Sequence, residues 1–169
     1  DPRHAIGEDL SGEQVVMKGF FVDEFPFPNE AGSIPLTHLT QAEASARCER
    51  LGKRLCTELE LERVCKGPDN LTYEYGNTYE PERCGVGSGR TQVPSGLHPG
   101  CRSAFGAQEL HGNVWSWTSS LWGRGGKPGL VALRGGNSRD GELVGRCAAG
   151  RAADPETRSA EVGFRCCAG

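Results

Sequence analysis

The stretch that decides the fold is Gly112-Asn113-Val114-Trp115-Ser116-Trp117, in which two tryptophans follow a glycine and flank a serine. Three further segments accompany it in a fixed order: GKRLCTE at residues 52–58 before it, and LRGGNS at 133–138 and GFRCC at 163–167 after it. Four separate motifs in one order are a far more specific signal than one short motif. A second observation is a gap, because residues 137–146 contain no cysteine.

The composition predicts a single loop-rich domain. The chain has 169 residues, of which 36% are hydrophobic, and it contains 25 glycines and 10 prolines, so much of the backbone must lie in turns and irregular loops. A net charge of -3 gives no electrostatic reason to expect a nucleic-acid partner. No apolar run is long enough to span a bilayer, so we expect a membrane to be reached only through a lipid or other anchor outside this chain.

The cysteines indicate the compartment. An even number of them, eight, in a loop-rich chain favours disulfides and an extracytoplasmic protein, whether secreted, periplasmic or at the cell surface as a lipoprotein. The alternative is a structural zinc site, but no pair has C-x-x-C spacing and the four histidines are scattered. Spacing alone leaves about 105 disulfide pairings open.

Two capping boxes predict two helices. Thr40-Gln41-Ala42-Glu43 opens a helix through Arg50, and Thr57-Glu58-Leu59-Glu60 opens a second one that ends near Gly67. The predicted inner positions of the first helix are Ala42, Ala46 and Cys48, and those of the second are Leu61, Val64 and Cys65. The predicted solvent-facing positions of the second helix are Glu58, Glu60, Glu62 and Arg63.

The strands are less clearly marked. Residues 15–25 are rich in β-formers and predict a strand or strand pair, and residues 131–134 and 162–166 predict short core strands. Residues 67–107 and 121–128 have almost no periodicity, and segments of that length are either disordered or held by other parts of the fold. Periodicity alone therefore predicts an α+β, loop-rich single domain.

The four ordered motifs resemble the formylglycine-generating enzyme (sulfatase-modifying factor) family, from about Met17 to the last residue. The resemblance implies an irregular, disulfide-stapled α+β domain of the C-type-lectin-like type at residues 17–169, preceded by an N-terminal extension at 1–16. It also implies the pairs Cys48–Cys166 and Cys65–Cys147. Neighbouring residues of a strand point to opposite faces, so the remaining set suggests Cys56–Cys167 and Cys84–Cys101.

In the resembled enzymes, two cysteines between R-G-G and R-C-A-A hold copper(I), and dioxygen converts a substrate cysteine into formylglycine. This chain has no thiolate in residues 137–146, so we expect no copper and no oxidase activity. The expected function is a non-catalytic binding or scaffolding module. The alternative is a divergent formylglycine-generating oxidase, or the substrate-binding half of a related oxidase.

The resemblance also implies a calcium site around the tryptophan motif. Its ligand positions map to Glu109, Gly112, Val114 and Ser116, and a second site would begin at Asn77. Ser116 stands where the family has a glutamate, which weakens the first site. The alternative is that the asparagines of these motifs only hold turns.

A recognition surface is expected beside the R-G-G motif, on residues 119–128 and 137–146. Its side chains would be an aromatic anchor, charges and an amide that suit a protein or glycan partner: Trp122, Arg124, Asn137, Arg139, Asp140 and Glu142. The alternative is that both segments are solvated loops. Trp115 and Trp117 are expected in the core. His111 could be drawn with Glu109 as an acid–base pair, but a histidine beside a loop glycine is more often a surface or hydrogen-bonding residue.

Overall fold

The computed structural model describes residues 16–86, 92–136, 142 and 145–169. The helices are α1 (Gln41–Glu49), α2 (Glu58–Lys66) and the single-turn α3 (Pro81–Cys84). The strands are β1 (Phe21–Val22), β2 (Arg54–Leu55), β3 (Trp115–Leu121), β4 (Val131–Arg134), β5 (Gly150–Ala153), β6 (Val162–Phe164) and β7 (Cys166–Ala168). A 3₁₀ turn, Trp122–Gly125, follows β3. None of the helices within these ranges is long and apolar enough to cross a membrane.

The strands form two small sheets, and the described buried apolar side chains form two larger clusters and one small one. The larger sheet has the order β5-β4-β3-β6, in which β3 runs antiparallel to β4 and parallel to β6. Trp117 therefore lies between Leu133 on one side and Phe164 on the other, and all three are buried. The tryptophan motif thus forms the centre of the fold, as the sequence analysis expects, and the fold class is the predicted α+β.

The two helices begin and end where the capping boxes predict. The side chains of Thr40 and Thr57 each accept a hydrogen bond from the backbone N–H three residues later. The glutamates at those positions, Glu43 and Glu60, accept in turn from the backbone N–H of the cap residue. The prediction for the inner face of α1 was partly wrong, because Ala44 and Cys48 are buried whereas Ala42 is exposed. Helix α1 packs on β2 and β3 with Ala44 on the face that meets Leu55 and Trp117, and the small side chain of alanine allows a close approach.

The prediction for the solvent-facing side of α2 was also partly wrong. Glu58 and Glu60 are buried, because Arg134 reaches Glu58 at 3.1 Å and Arg54 binds both carboxylate oxygens of Glu60 at 2.7 Å. A buried carboxylate needs such a cation, since an unpaired charge in the interior is costly. The apolar positions of α2 are buried as predicted.

The N-terminal strand is much shorter than the prediction for residues 15–25. Within its described part only Phe21–Val22 pairs with a neighbour, the three-residue strand β7, and a short partner limits how far pairing can extend. The predicted strand at 162–166 is divided at Arg165. The side chain of Arg165 is buried and donates hydrogen bonds to the carbonyls of Asp23, Glu24 and Gln108. The strands on either side of it, β6 and β7, belong to different sheets.

Candidate functional site

The R-G-G motif closes against the tryptophan motif through backbone contacts. Gly136 O accepts a hydrogen bond of 2.6 Å from Gly112 N. Gly135 has a φ of 107°, and a Cβ placed there would lie 2.8 Å from Leu110 O. A side chain at this position would clash with the backbone, so the glycine is a requirement of the close approach. The two motifs that identify the fold therefore form one rigid unit.

Arg134 anchors that unit to helix α2. Its guanidinium donates to the carbonyls of Cys147 and Ala149, and it makes ion pairs with Glu58 at 3.1 Å and Glu62 at 2.9 Å. The side chain of Arg134 is 3% exposed. Charge-assisted hydrogen bonds of this kind brace a structure, so Arg134 has the bracing role that R-G-G arginines usually have.

A small cavity lies beneath Gly135. It measures about 10 Å³, and its lining includes His111, Ser116 and the Cys65–Cys147 disulfide. This volume holds about one water molecule. The described residues next to the motif therefore offer no room for a peptide or sugar in the interior, and recognition would have to take place on the surface.

The predicted recognition residues are only partly described. Asn137, Arg139 and Asp140 lie outside the described residues, as does the side chain of Arg124. Glu142 is exposed and accepts a hydrogen bond of 3.4 Å from the hydroxyl of Tyr73.

Trp122 is half-buried, and its ring lies over β5, 3.3 Å from the position of a Cβ on Gly150. Trp115 and Trp117 are buried in the core, as predicted. Trp122 is thus the tryptophan that reaches the surface.

An open groove of about 650 Å³ begins where the predicted loop leaves β3. It is lined by Ser120 and Leu121, by the first turn of α2, and by the N-terminal segment from Val16 to Phe20. Leu121 is 54% exposed. Sequence reasoning missed this groove, because the N-terminal segment was read as strand. The available signal was an apolar residue, Leu121, at the exposed end of a strand whose first four residues are buried.

All eight cysteines are paired in disulfides. The pairs are those that the resemblance and the remaining set suggest: Cys48–Cys166, Cys56–Cys167, Cys65–Cys147 and Cys84–Cys101. Copper(I) prefers thiolates, and the oxidised chain has none. The residues present therefore do not fit the copper site of the resembled enzymes.

The positions expected to bind the first calcium ion have different surroundings in the fold. Ser116 lines the small cavity, and the carbonyl of Val114 lies close to Gly135. Glu109 lies elsewhere: its Oε2 accepts from Gly96 N at 2.8 Å, and its Oε1 is buried with no hydrogen-bond partner. Burial raises the pKa of Glu109, although the Gly96 N–H opposes this.

The second calcium position, Asn77, holds a turn, because its carboxamide oxygen accepts from Thr72 N at 3.0 Å. Calcium prefers six to eight oxygen ligands. Of the four first-site positions only Glu109 carries a carboxylate, whereas Gly112 and Val114 would contribute backbone carbonyls, and calcium at this site stays a proposal for experiment.

His111 does not pair with Glu109, and its role is a hydrogen-bonding one in the interior. His111 Nδ1 lies 3.1 Å from both carboxylate oxygens of Glu74, and the histidine that approaches Glu109 is His98, whose Nδ1 lies 3.9 Å from Oε1 of Glu109. Glu74 stands 37 residues before His111, so no local pattern could indicate the pair. Both side chains are buried, which makes them a polar pair of the interior and not an exposed acid–base pair.

Comparison with known proteins agrees with this architecture. The sulfatase-modifying factor enzyme 1-like domain matches residues 13–168. Two relatives from Mus musculus are inactive C-alpha-formylglycine-generating enzyme 2, 29% identical over 152 residues (79% of this chain, 48% of the relative), and formylglycine-generating enzyme, 28% identical over 163 residues (79% and 44%). The chain spans about half the length of these curated relatives.

The fold also has solved counterparts. Treponema denticola variable protein 1 superposes with a TM-score of 0.74 at 15% identity, over 88% of this chain and 84% of that one. At this level of identity the likeness concerns the fold alone, which is of the C-type-lectin-like type.

Proposed function

This chain belongs to the sulfatase-modifying factor enzyme 1-like domain family, and we propose that it is a non-catalytic, extracytoplasmic binding or scaffolding module. The observation that carries the proposal is the state of the cysteines. Residues 137–146 contain none, and every cysteine elsewhere is in a disulfide. The chain thus keeps the family's scaffold without the thiolates that copper(I) chemistry needs.

Sequence similarity does not distinguish the two functional classes, since an inactive and an active relative match at 29% and 28% identity. The distinction rests on site chemistry, because one fold can carry different functions. The four disulfides also support the extracytoplasmic part of the proposal, because such bonds persist in oxidising compartments.

The proposed recognition surface is the 3₁₀ turn Trp122–Gly125 with the groove beside Leu121, together with residues 137–146, most of which lie outside the described residues. The turn directly follows β3, whose first four residues are buried, so a partner would meet a preorganised surface. Aromatic and arginine side chains commonly dominate binding energy in such surfaces. The partner we expect is a protein or a glycan.

The test is a double substitution, Trp122→Ala with Arg139→Ala, in a pull-down with mass spectrometry and on a glycan array. The variant should keep its melting temperature almost unchanged but lose at least ~10-fold in affinity for the captured partner, as expected for loss of a hot spot. The matched control is Arg47→Ala with Glu49→Ala on the exposed face of α1, which should bind normally. Unchanged binding of the first variant together with loss in the control would show that the surface is wrong.

A further inference from the structure

A second cluster of chemical groups begins at His111, which also lines the small cavity beneath Gly135. Glu74 and His111 are both buried, with Nδ1 of His111 at 3.1 Å from each carboxylate oxygen of Glu74. The other ring nitrogen, Nε2, is buried with no hydrogen-bond partner. A histidine held by a carboxylate in the interior is an arrangement typical of metal sites, where a second group orients the ligand.

The Cys84–Cys101 disulfide touches this pair. Oε1 of Glu74 lies 2.9 Å from Sγ of Cys84 and 3.4 Å from Sγ of Cys101. One ligand atom from each of Glu74, Cys84 and Cys101 lies within 4.8 Å of the others, and all three residues are buried. Two sulfurs and a carboxylate therefore already converge on one point.

We propose that opening the Cys84–Cys101 disulfide creates a buried Zn²⁺ site with Cys84, Cys101 and Glu74 as ligands, and with His111 as the residue that orients Glu74. A dithiol or phosphine reductant supplies two electrons, and two protons complete the two thiols. On binding, Zn²⁺ replaces both thiol protons, which pass to solvent, and the ligands become two thiolates and one carboxylate. The site is thus closed in the oxidised protein and available in the reduced one.

The distances suit zinc. Tetrahedral Zn²⁺ with Zn–S near 2.3 Å and Zn–O near 2.1 Å separates its ligand atoms by about 3.4–3.8 Å. The oxygen–sulfur distances of 2.9 and 3.4 Å are already close to that range. Cleavage moves the two sulfurs from bonding distance to nonbonded contact, which is the separation that the two thiolates need. Two thiolates and a carboxylate also form a ligand set that zinc accepts.

The fold can tolerate the opening of this disulfide better than that of the others. Cys84 and Cys101 are 17 residues apart, whereas the other pairs are 82, 111 and 118 apart. The stabilisation from a disulfide grows with the length of the loop it closes, so this one contributes least. The pair also belongs to a small separate apolar cluster with Val86, Tyr75 and Tyr79, outside the two larger cores.

The neighbouring Cys65–Cys147 disulfide is the competing source of thiolates, because Cys65 also approaches Glu74 and His111. That bond ties α2 to the loop before β5 and lies within a large core cluster. Its loss would remove a constraint on 82 residues, so a folded reduced form is less accessible there. The proposal therefore commits to Cys84 and Cys101.

The experiment titrates the full chain with a phosphine and maps the opened cysteines by mass-tag peptide analysis. At the dose that opens one disulfide, Co²⁺ and Zn²⁺ are added as probes. We expect the label on Cys84 and Cys101, one Co²⁺ per chain with a thiolate charge-transfer band, displacement by Zn²⁺, and native near-ultraviolet circular dichroism. His111→Gln should weaken Zn²⁺ binding about 10–100-fold, as loss of a supporting residue does.

The controls separate the possible sites. Cys84→Ser with Cys101→Ser should fold and show no thiolate–cobalt band after the same treatment, and Glu74→Gln should bind far more weakly than the wild type. The proposal is overturned if another disulfide opens first, or if the singly reduced, folded protein binds no Co²⁺. An equally strong band in the double serine variant would also overturn it, by assigning the thiolates to Cys65 and Cys147.

Discussion

Replacement of Arg134 by methionine should strongly destabilise the fold. The side chain is 3% exposed and is bound to Glu58, whose side chain is 6% exposed, so the substitution leaves a buried carboxylate without its cation. Breaking a buried ion pair in this way costs about 3–5 kcal/mol. A domain of this size has a total stability of about 5–15 kcal/mol, so the loss is a large part of it.

The assay is urea denaturation followed by tryptophan fluorescence, which reports on the buried Trp115 and Trp117. Adding Glu58→Gln to the Arg134→Met variant should recover ~1–3 kcal/mol, because the stranded charge is removed. The control is Arg158→Met, which removes an exposed ion pair: the side chains of Arg158 and Glu43 are 56% and 44% exposed, and the expected loss is only a small fraction of that at Arg134. A loss below ~1 kcal/mol at Arg134, or no recovery in the double variant, would refute the bracing role.

Three further outcomes are expected. Burial raises the pKa of Glu109, so its contribution to stability is complete below the unfolded value of about 4.3 and is lost as the pH rises through the folded value. Glu109→Gln should therefore match the wild type in stability below pH ~4 and exceed it at neutral pH. A melting temperature that rises with added calcium in the wild type, but not in Glu109→Gln, would instead establish a calcium site. Burial would raise the pKa of Glu60, but the hydrogen bonds from Arg54 and Thr57 outweigh it, so the pKa is lowered. The stability that Glu60 contributes is therefore present above pH about 4.3 and is lost on acidification. Arg54→Met should make stability depend less steeply on pH in the acid range, and an unchanged dependence would contradict this. Thiol titration of the denatured, unreduced protein should find essentially no free thiol, and two or more would contradict the disulfide set.

Local signals in the sequence specified the helices. The capping boxes at Thr40 and Thr57 act within four residues, so their effect does not depend on the rest of the fold. Strand lengths were less predictable, because Phe21–Val22 can extend only as far as its partner β7 allows. The disulfide pairs followed from family resemblance and strand alternation, since spacing alone leaves too many pairings open.

The polar interior could not be predicted from the sequence. Glu58 reads as a surface residue of an amphipathic helix until Arg134 is placed opposite to it by a β-strand 76 residues later. Glu74 and His111 likewise meet only in the folded chain. Such contacts depend on long-range packing, which overrides local hydrophobic patterns. Of the candidate site, the sequence shows directly that residues 137–146 contain no cysteine, whereas the groove beside Leu121 depends on the folded chain.

The most direct test of the central claim is mass spectrometry of a sulfatase-type C-x-P-x-R peptide after incubation with this protein. Copper(I), dioxygen and a reductant would be present, the reductant at a dose that leaves the four disulfides intact, and an active formylglycine-generating enzyme would serve as positive control. Because the chain has no cysteine in residues 137–146 and no free thiol, the account predicts no formylglycine above the level without protein. Formation of formylglycine that depends on this protein would contradict the account and restore the oxidase alternative.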